Sequence, residues 1–294
     1  MRRLAALLLL SLCLLLAACG EHTPEVTTTP APLPEPTAAP ADPWGASSVK
    51  VYVDGLLRLR GYDCDGTLYL CPADLCALFG LEASTAISEE GCALSLPQGT
   101  LDAPADAAVY TFDGRYLYCP EGYRVDAGRV YFPADVSERL FGLTVSFDGA
   151  RADVDTSGFQ LLRGGEDYYA SHIPADDLYW LSHIIYSEAH WEPLEGQLGV
   201  GNVVLNRVRS ELFPATVMGV VLDRDHTVQF DPVESGAIGA QPDETALLAA
   251  CLCFEGYNPV GDSLYFMNPA LGDATWFENA LTETVRIGNH VFYS

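Results

Sequence analysis

Two stretches of this chain are close copies of each other, and a duplicated stretch is expected to fold twice into the same local shape. Gly66 to Leu81 aligns without a gap on Gly128 to Leu143. Gly66, Tyr69, Leu78, Phe79, Gly80 and Leu81 fall on Gly128, Tyr131, Leu140, Phe141, Gly142 and Leu143. Each copy reads as a glycine turn, a short strand, a short helix closed by glycine, and another strand. Val51-Tyr-Val-Asp-Gly55 and Thr111-Phe-Asp-Gly114 have the Asp-Gly pairs that favour tight hairpin turns. Residues 49–157 are therefore predicted to form a small β-rich duplicated domain.

What precedes the repeat is of another kind. Arg2 and Arg3 open a short basic region, and Leu4 to Leu16 is an almost unbroken apolar run. About 13 residues are too few to span a bilayer comfortably, and the small residues that follow read as a cleavage site. Leu16-Ala17-Ala18-Cys19 resembles the bacterial lipobox, which implies cleavage after residue 18 and a lipid on Cys19. Residues 1–18 are then a signal peptide, and the protein is anchored on the outer face of the membrane through Cys19. Residues 19–48 are rich in Pro, Thr and Ala, including Pro24, Pro30, Pro32, Pro34, Pro36, Pro40 and Pro43. Such a composition cannot bury a core and favours extended conformations, so this stretch reads as a disordered linker.

A formal net charge of -25 argues against nucleic acid as a partner, because phosphates have nothing here to neutralise them. Seven cysteines follow Cys19, namely Cys64, Cys71, Cys76, Cys92, Cys119, Cys251 and Cys253. The number is odd, so at least one thiol stays unpaired even where export permits disulfides. No CxxC pair occurs, which disfavours a zinc ribbon. The segment 49–157 contains no histidine, so it offers no imidazole copper site. Neither metal nor cofactor is expected.

From Asp177 onward, after a connector at 158–176, the texture becomes helical. Asp176 and Asp177 open a helix that runs Leu178-Tyr-Trp-Leu-Ser-His-Ile-Ile-Tyr-Ser-Glu188 until Pro193 limits it. A second helix, about 195–211, is apolar on most sides and should be central. A third runs from Pro242 to Phe254, with proline at its start and Gly256 beyond its end. Val228-Gln-Phe230, Ser263–Met267 and Val285–Tyr293 read as short strands, the last with a turn at Gly288-Asn289.

On the first helix the apolar stripe is Leu178, Leu181, Ile184, Ile185, and the same spacing next reaches Glu188. A carboxylate at a core-facing position is desolvated, which favours the neutral acid. A protonated carboxylic acid near neutral pH is what a glycosidic leaving group needs. Periodicity leaves two alternatives: a side chain turned to water at the helix end, or one paired with an arginine.

Ile184 to Val208, which includes Ser187-Glu-Ala189, Gln197 and Asn202-Val-Val-Leu-Asn-Arg-Val208, resembles the signature of cell-wall hydrolases of the spore cortex-lytic enzyme family. Phe213-Pro214, Gln229-Phe230, Tyr265-Phe-Met-Asn-Pro269 and Ile287-Gly-Asn-His-Val-Phe-Tyr293 continue the likeness over 177–294. His190-Trp191 departs from it, since the family usually has small residues there. The resemblance implies an α+β chain whose C-terminal helical domain, with its small sheet, is related to the lysozyme and lytic transglycosylase fold. It implies the glycan strands of peptidoglycan as substrate and Glu188 as catalytic acid. In such enzymes one carboxylate protonates the bridging oxygen and then acts as base on the C6 hydroxyl of muramic acid, leaving a 1,6-anhydro sugar. A hydrolase would need a second carboxylate, for which Glu192, Asp231 and Glu234 are candidates. Glu192, Gln197, Asn202, Gln229, Phe230, Tyr265 and Asn268 are expected to bind substrate, although Asn202 and Asn206 could equally tie buried loops together. Residues 49–157 resemble the N-terminal domain of copper amine oxidases, without its name implying copper here, and read as a wall- or partner-binding module or a spacer.

Three rival readings are weaker. A cysteine amidase would use Cys251 or Cys253 with His290, but both cysteines fall inside a helix, not at the N-terminus that stabilises a thiolate. A zinc peptidase lacks HExxH, and His183 and His190 alone are too few. A non-catalytic wall-binding lipoprotein with a degenerate hydrolase domain is disfavoured by the presence of Glu188.

Overall fold

Asp-Gly pairs turn the chain where the sequence places them. The computed structural model describes residues 43–224, 230–272 and 274–294, with Pro43 and Asp231 described by backbone alone. In the N-terminal part β1 (Ser47–Val53), β2 (Leu56–Cys64) and β3 (Thr67–Leu70) precede α1 (Pro72–Leu78). Then come β4 (Ser84–Ile87), β5 (Gly91–Leu96), β6 (Gly99–Pro104), β7 (Val109–Phe112), β8 (Arg115–Tyr118), β9 (Arg124–Asp126) and β10 (Arg129–Pro133). After them α2 (Ala134–Phe141), β11 (Thr144–Phe147) and β12 (Arg151–Asp155) complete this part. Asp54-Gly55 and Asp113-Gly114 both lie at positive φ, 49° and 79°, then 43° and 80°. That is the pairing a two-residue hairpin turn requires.

The strands form a seven-stranded sheet in the order β11-β12-β1-β2-β3-β10-β9 and a five-stranded sheet β4-β5-β6-β7-β8. β1 and β12 run parallel; the other pairs in these sheets are antiparallel. Alternation places Val49, Val51 and Val53 of β1 inward, on a core shared with Leu70, Leu101, Phe112, Phe132, Leu140 and Phe141. The folded chain begins earlier than the composition suggests. Trp44, expected in the linker, packs on Tyr62, Tyr69 and Tyr131 at ring distances of 5.3, 6.1 and 5.4 Å.

The C-terminal part contains α3 (Tyr168–His172), α4 (Ala175–Ala189), α5 (Leu194–Arg209), α6 (Val217–Val221), α7 (Asp231–Ser235) and α8 (Glu244–Phe254). They are followed by β13 (Tyr265–Met267), α9 (Thr275–Ala280), β14 (Glu283–Ile287) and β15 (His290–Tyr293), with the three strands in the order β13-β15-β14. The predicted helices and the last hairpin thus form within a few residues of their expected ends; the strand expected at 228–230 lies mostly outside the described residues. α5 is buried from Gly196 to Arg207, the central helix of a core made with Leu181, Ile184, Ile185, Val220, Ala249 and Leu252. A Cβ on Gly201 would stand 2.7 Å from Cys253 Sγ, so a glycine there lets α8 lie close against α5.

The connector is not a free linker. Gln160 N donates to Phe141 O at 2.9 Å, Leu162 N to Leu140 O at 2.9 Å, and Gly165 N to Asp113 O at 2.6 Å. The described residues accordingly cluster as one unit. The contact centres on Glu255, just past α8. Its carboxylate accepts from Arg115 Nε at 3.0 Å and Nη2 at 2.5 Å, and from Tyr169 Oη at 2.9 Å. Arg139 donates to the Glu255 carbonyl at 2.9 Å and lies 3.7 Å over the Tyr257 ring.

Candidate active site

The end of α4 determines where Glu188 points. Leu181, Ile184 and Ile185 are fully buried, and the inward stripe finishes on Ala189 rather than on Glu188. Glu188 is half-buried at the rim of the core. The backbone stays helical through His190, with φ −62° and ψ −18°, and then turns. His190 Nδ1–H donates to the Tyr186 carbonyl at 2.8 Å.

Beneath this rim lies a residue to which the sequence reading assigned no role. Arg207, on α5, is 4% exposed. Its Nε donates to Leu264 O at 2.7 Å, while its Nη1 has no hydrogen-bond partner. Three rings surround the guanidinium, with Phe213, Phe230 and Tyr265 at 4.9, 5.2 and 5.5 Å. Burial pulls its pKa down to about 10, against the opposing influence of Tyr265, Asp223 and Glu188. It therefore stays cationic near neutrality. The signal for it was in the sequence: position 207 continues the buried spacing of Val203 and Val204, and a charged residue at a core position is informative where an apolar one is not. Asp223, buried and also missed, belongs to the same charge group.

The other expected site residues divide. Tyr265, on β13, is half-buried beside Arg207, with edge contacts to Phe213 and Trp276 at 6.2 and 6.1 Å. Phe230 is a core residue under the guanidinium, 6.4 Å from Phe266. Asn268 turns its Oδ1 to its own loop, accepting from Ala270 N at 2.9 Å. Gln229 and the Asp231 side chain lie outside the described residues, as does Cys19.

Asn202 is not placed to meet a glycan. It is 2% exposed, and its Nδ2 donates to Leu198 O at 2.9 Å and to Tyr257 O at 2.7 Å. Asn206 likewise donates to Gly261 O at 2.7 Å and Ser263 O at 3.0 Å. Both tie the chain after α8 to the central helix, the loop-binding alternative. Gln197 is buried, donating to Glu192 O at 3.2 Å while its Oε1 has no partner. Glu192 is turned to the last hairpin: its Oε2 accepts from Asn289 N at 2.8 Å and its Oε1 from Asn289 Nδ2 at 2.9 Å. Gly288, at φ +59°, leaves the space that this carboxylate fills.

The cysteine rival finds no support. Cys251 and Cys253 are buried, and burial pushes the Cys251 thiol up to about 12 and that of Cys253 higher still. A nucleophile would need the opposite shift.

Residues 191–293 match the family model described as Cell Wall Hydrolase. This part of the chain is a cell wall hydrolase domain. Glu188 stands three residues ahead of the matched segment. The chain is 35% identical over 131 residues to the spore cortex-lytic enzyme of Bacillus subtilis (strain 168), covering 43% of this chain and 42% of that protein. It is 35% identical over 117 residues to the spore cortex-lytic enzyme of Oceanobacillus iheyensis, covering 40% and 41%. The chain thus spans about two fifths of the length of these curated relatives. Among solved structures, the catalytic domain of the germination-specific lytic transglycosylase SleB from Bacillus anthracis is 33% identical, covering 42% of this chain and 98% of that one, with a TM-score of 0.39. The catalytic domain of Bacillus cereus SleB is 34% identical, covering 41% and 91%, with a TM-score of 0.38.

Proposed function

We propose that this chain degrades peptidoglycan by cleaving the glycan backbone between N-acetylmuramic acid and N-acetylglucosamine, as a lytic transglycosylase with Glu188 as its one catalytic carboxylate. The observation that carries the reading is the position of Glu188: half-buried at the end of α4, directly before a cell wall hydrolase domain, within the field of the buried cation Arg207. Glu188 gives its proton to the bridging oxygen as the bond to C1 breaks. The carboxylate left behind takes the proton of the muramic C6 hydroxyl as that oxygen attacks C1, and the ring closes as a 1,6-anhydro sugar. Arg207 stabilises the carboxylate formed between the two steps, because a fixed cation in a water-poor site favours developing negative charge. The single-carboxylate route is supported by Glu192, which holds Asn289 with both oxygens.

The test is digestion of purified peptidoglycan, with the soluble muropeptides identified by mass spectrometry. Anhydro ends are expected, and Glu188→Gln should abolish them. Reducing ends would instead indicate hydrolysis by a second carboxylate, and released peptides would sink the glycan assignment.

The lipobox-like Leu-Ala-Ala-Cys19 supports the further proposal that the protein is exported and held at the outer face of the membrane by lipid on Cys19. Cys19→Ala should move the protein from the detergent phase to the aqueous phase on partitioning. Unchanged partitioning would refute the anchor.

A further inference from the structure

An aromatic corner follows the proposed catalytic acid. Trp191 is 86% exposed. Single exposed apolar side chains are ordinary on protein surfaces; what sets this one apart is how it is held. On one side His190 stacks on Tyr186, with ring centroids 4.8 Å apart and planes at 29°, and is bonded to the Tyr186 carbonyl. The indole leans against His190, with ring centroids 4.5 Å apart and planes tilted by 46°. On the other side Glu192 N donates to Ala189 O at 2.9 Å, and the Glu192 carboxylate is buried against Asn289. Trp191 is thus an open ring carried on a backbone held between two anchored residues, so little backbone freedom remains to be lost on binding.

Its position relative to Glu188 follows from the backbone. Trp191 follows Glu188 by three residues, and the Glu192 N–H bond to Ala189 O keeps the chain tightly turned there, so both side chains belong to the C-terminal end of α4. A chain of net charge -25 has little electrostatic attraction for an anionic wall polymer, and its glycan contacts must come from stacking and hydrogen bonds. The C–H face of an uncharged pyranose ring is apolar enough to lie on an indole.

We propose that Trp191 is a sugar-stacking platform that binds the N-acetylated pyranose next to the bond facing Glu188. This rests on the glycan-cleaving reading of the site. The platform holds the glycan chain so that the scissile oxygen lies over the carboxylate, a binding role distinct from the proton transfer itself.

The experiment uses the full chain and, as probe, a soluble tetrasaccharide of alternating N-acetylglucosamine and N-acetylmuramic acid. In a Glu188→Gln background, which keeps the sugar intact, its binding should quench tryptophan emission. Trp191→Ala should weaken tetrasaccharide binding about tenfold, measured by calorimetry, and Trp191→Phe should restore most of it. Thermal melting should not change, since the side chain is exposed. With Glu188 present, the loss from Trp191→Ala should fall on KM more than on kcat. Equal tetrasaccharide affinity for the alanine variant would overturn the platform, even if the enzyme cleaves glycan normally. So would a folded phenylalanine variant that binds as poorly as alanine, because stacking does not need the indole N–H. Trp191-dependent binding without any cleavage by the unmutated chain would uphold the platform and refute the catalytic reading.

Discussion

The strand-built N-terminal part and the helical C-terminal part bury polar groups very differently. Among the described residues the first has one buried polar side chain, Ser137, while the second has ten, among them Glu192, Gln197, Asn202, Asn206, Arg207, Asp223 and His290. In the sheets the backbone groups satisfy each other across ladders, and alternation sends charged side chains out. The core there needs only shape. In the helical part, the loop between α8 and β13 passes over a central helix, and its carbonyls need donors from it, which Asn202, Asn206 and Arg207 supply. The difference shows that a half-buried acid like Glu188 sits in an already polar framework, where a charge can be held next to apolar rings.

The contrast can be tested, beginning with the largest effect. Glu188→Gln keeps the size of the side chain but has no proton to give, and loss of general acid catalysis costs about 10²- to 10⁴-fold. With one residue serving both steps, turnover should fall to the upper end of that range while the melting temperature holds. Near-normal release of muropeptides by a folded variant would remove Glu188 from the chemistry.

Next comes the junction between the two parts. The Glu255 carboxylate is 5% exposed and Arg115 17%, so Glu255→Ala leaves a guanidinium uncompensated in a largely buried place. Breaking such a pair typically costs about 3–5 kcal/mol. Denaturant unfolding should show that loss, and a biphasic curve would mean that the junction couples two parts able to unfold separately. No loss of stability would show that the contact is incidental.

Glu192→Ala is expected to have a smaller effect. It removes two hydrogen bonds that hold the turn between β14 and β15; because Asn289 is exposed and water can take the place of the carboxylate, the total loss should stay at about 1.5–3 kcal/mol. Hydrogen exchange at Asn289 should rise sharply and activity should fall moderately. If Glu192→Gln, which can still accept from the Asn289 backbone, loses activity as completely as Glu188→Gln, Glu192 takes part in the chemistry and the single-carboxylate route fails.

The helices carrying the candidate site were legible because their signals are local: acidic residues at the start of α4, Pro242 and Gly256 around α8, and the apolar surround of α5. Glu188 was legible for the same reason, through its spacing from Ile184 and Ile185. Its depth was not, because the stripe could finish on Ala189 or on Glu188, and only the packing of the helix end distinguishes them. Asn202 read as well for a glycan ligand as for an internal tie. An amide side chain has the same donors in either role, and its partner, Tyr257 O, is fifty-five residues away. Residues 158–176 read only as a connector because their polar, glycine-containing sequence has no periodic apolar pattern. They are held by backbone bonds, which leave no trace in side-chain composition, and by the Tyr169 hydroxyl, whose partner Glu255 is eighty-six residues away.

By itself the sequence determined the turns, the helices, the strand alternation and the place of Glu188 at the end of a helix, since each depends on neighbours within a few positions and on intrinsic backbone preferences. Tertiary structure alone decided that Arg207 lies within three aromatic rings, that Glu192 faces Asn289 instead of the solvent, and that Glu255 joins the sheets to the helices. These three are meetings of charged groups from distant parts of the chain. Whether a buried charge finds a partner depends on three-dimensional proximity, and spacing along the chain does not encode it.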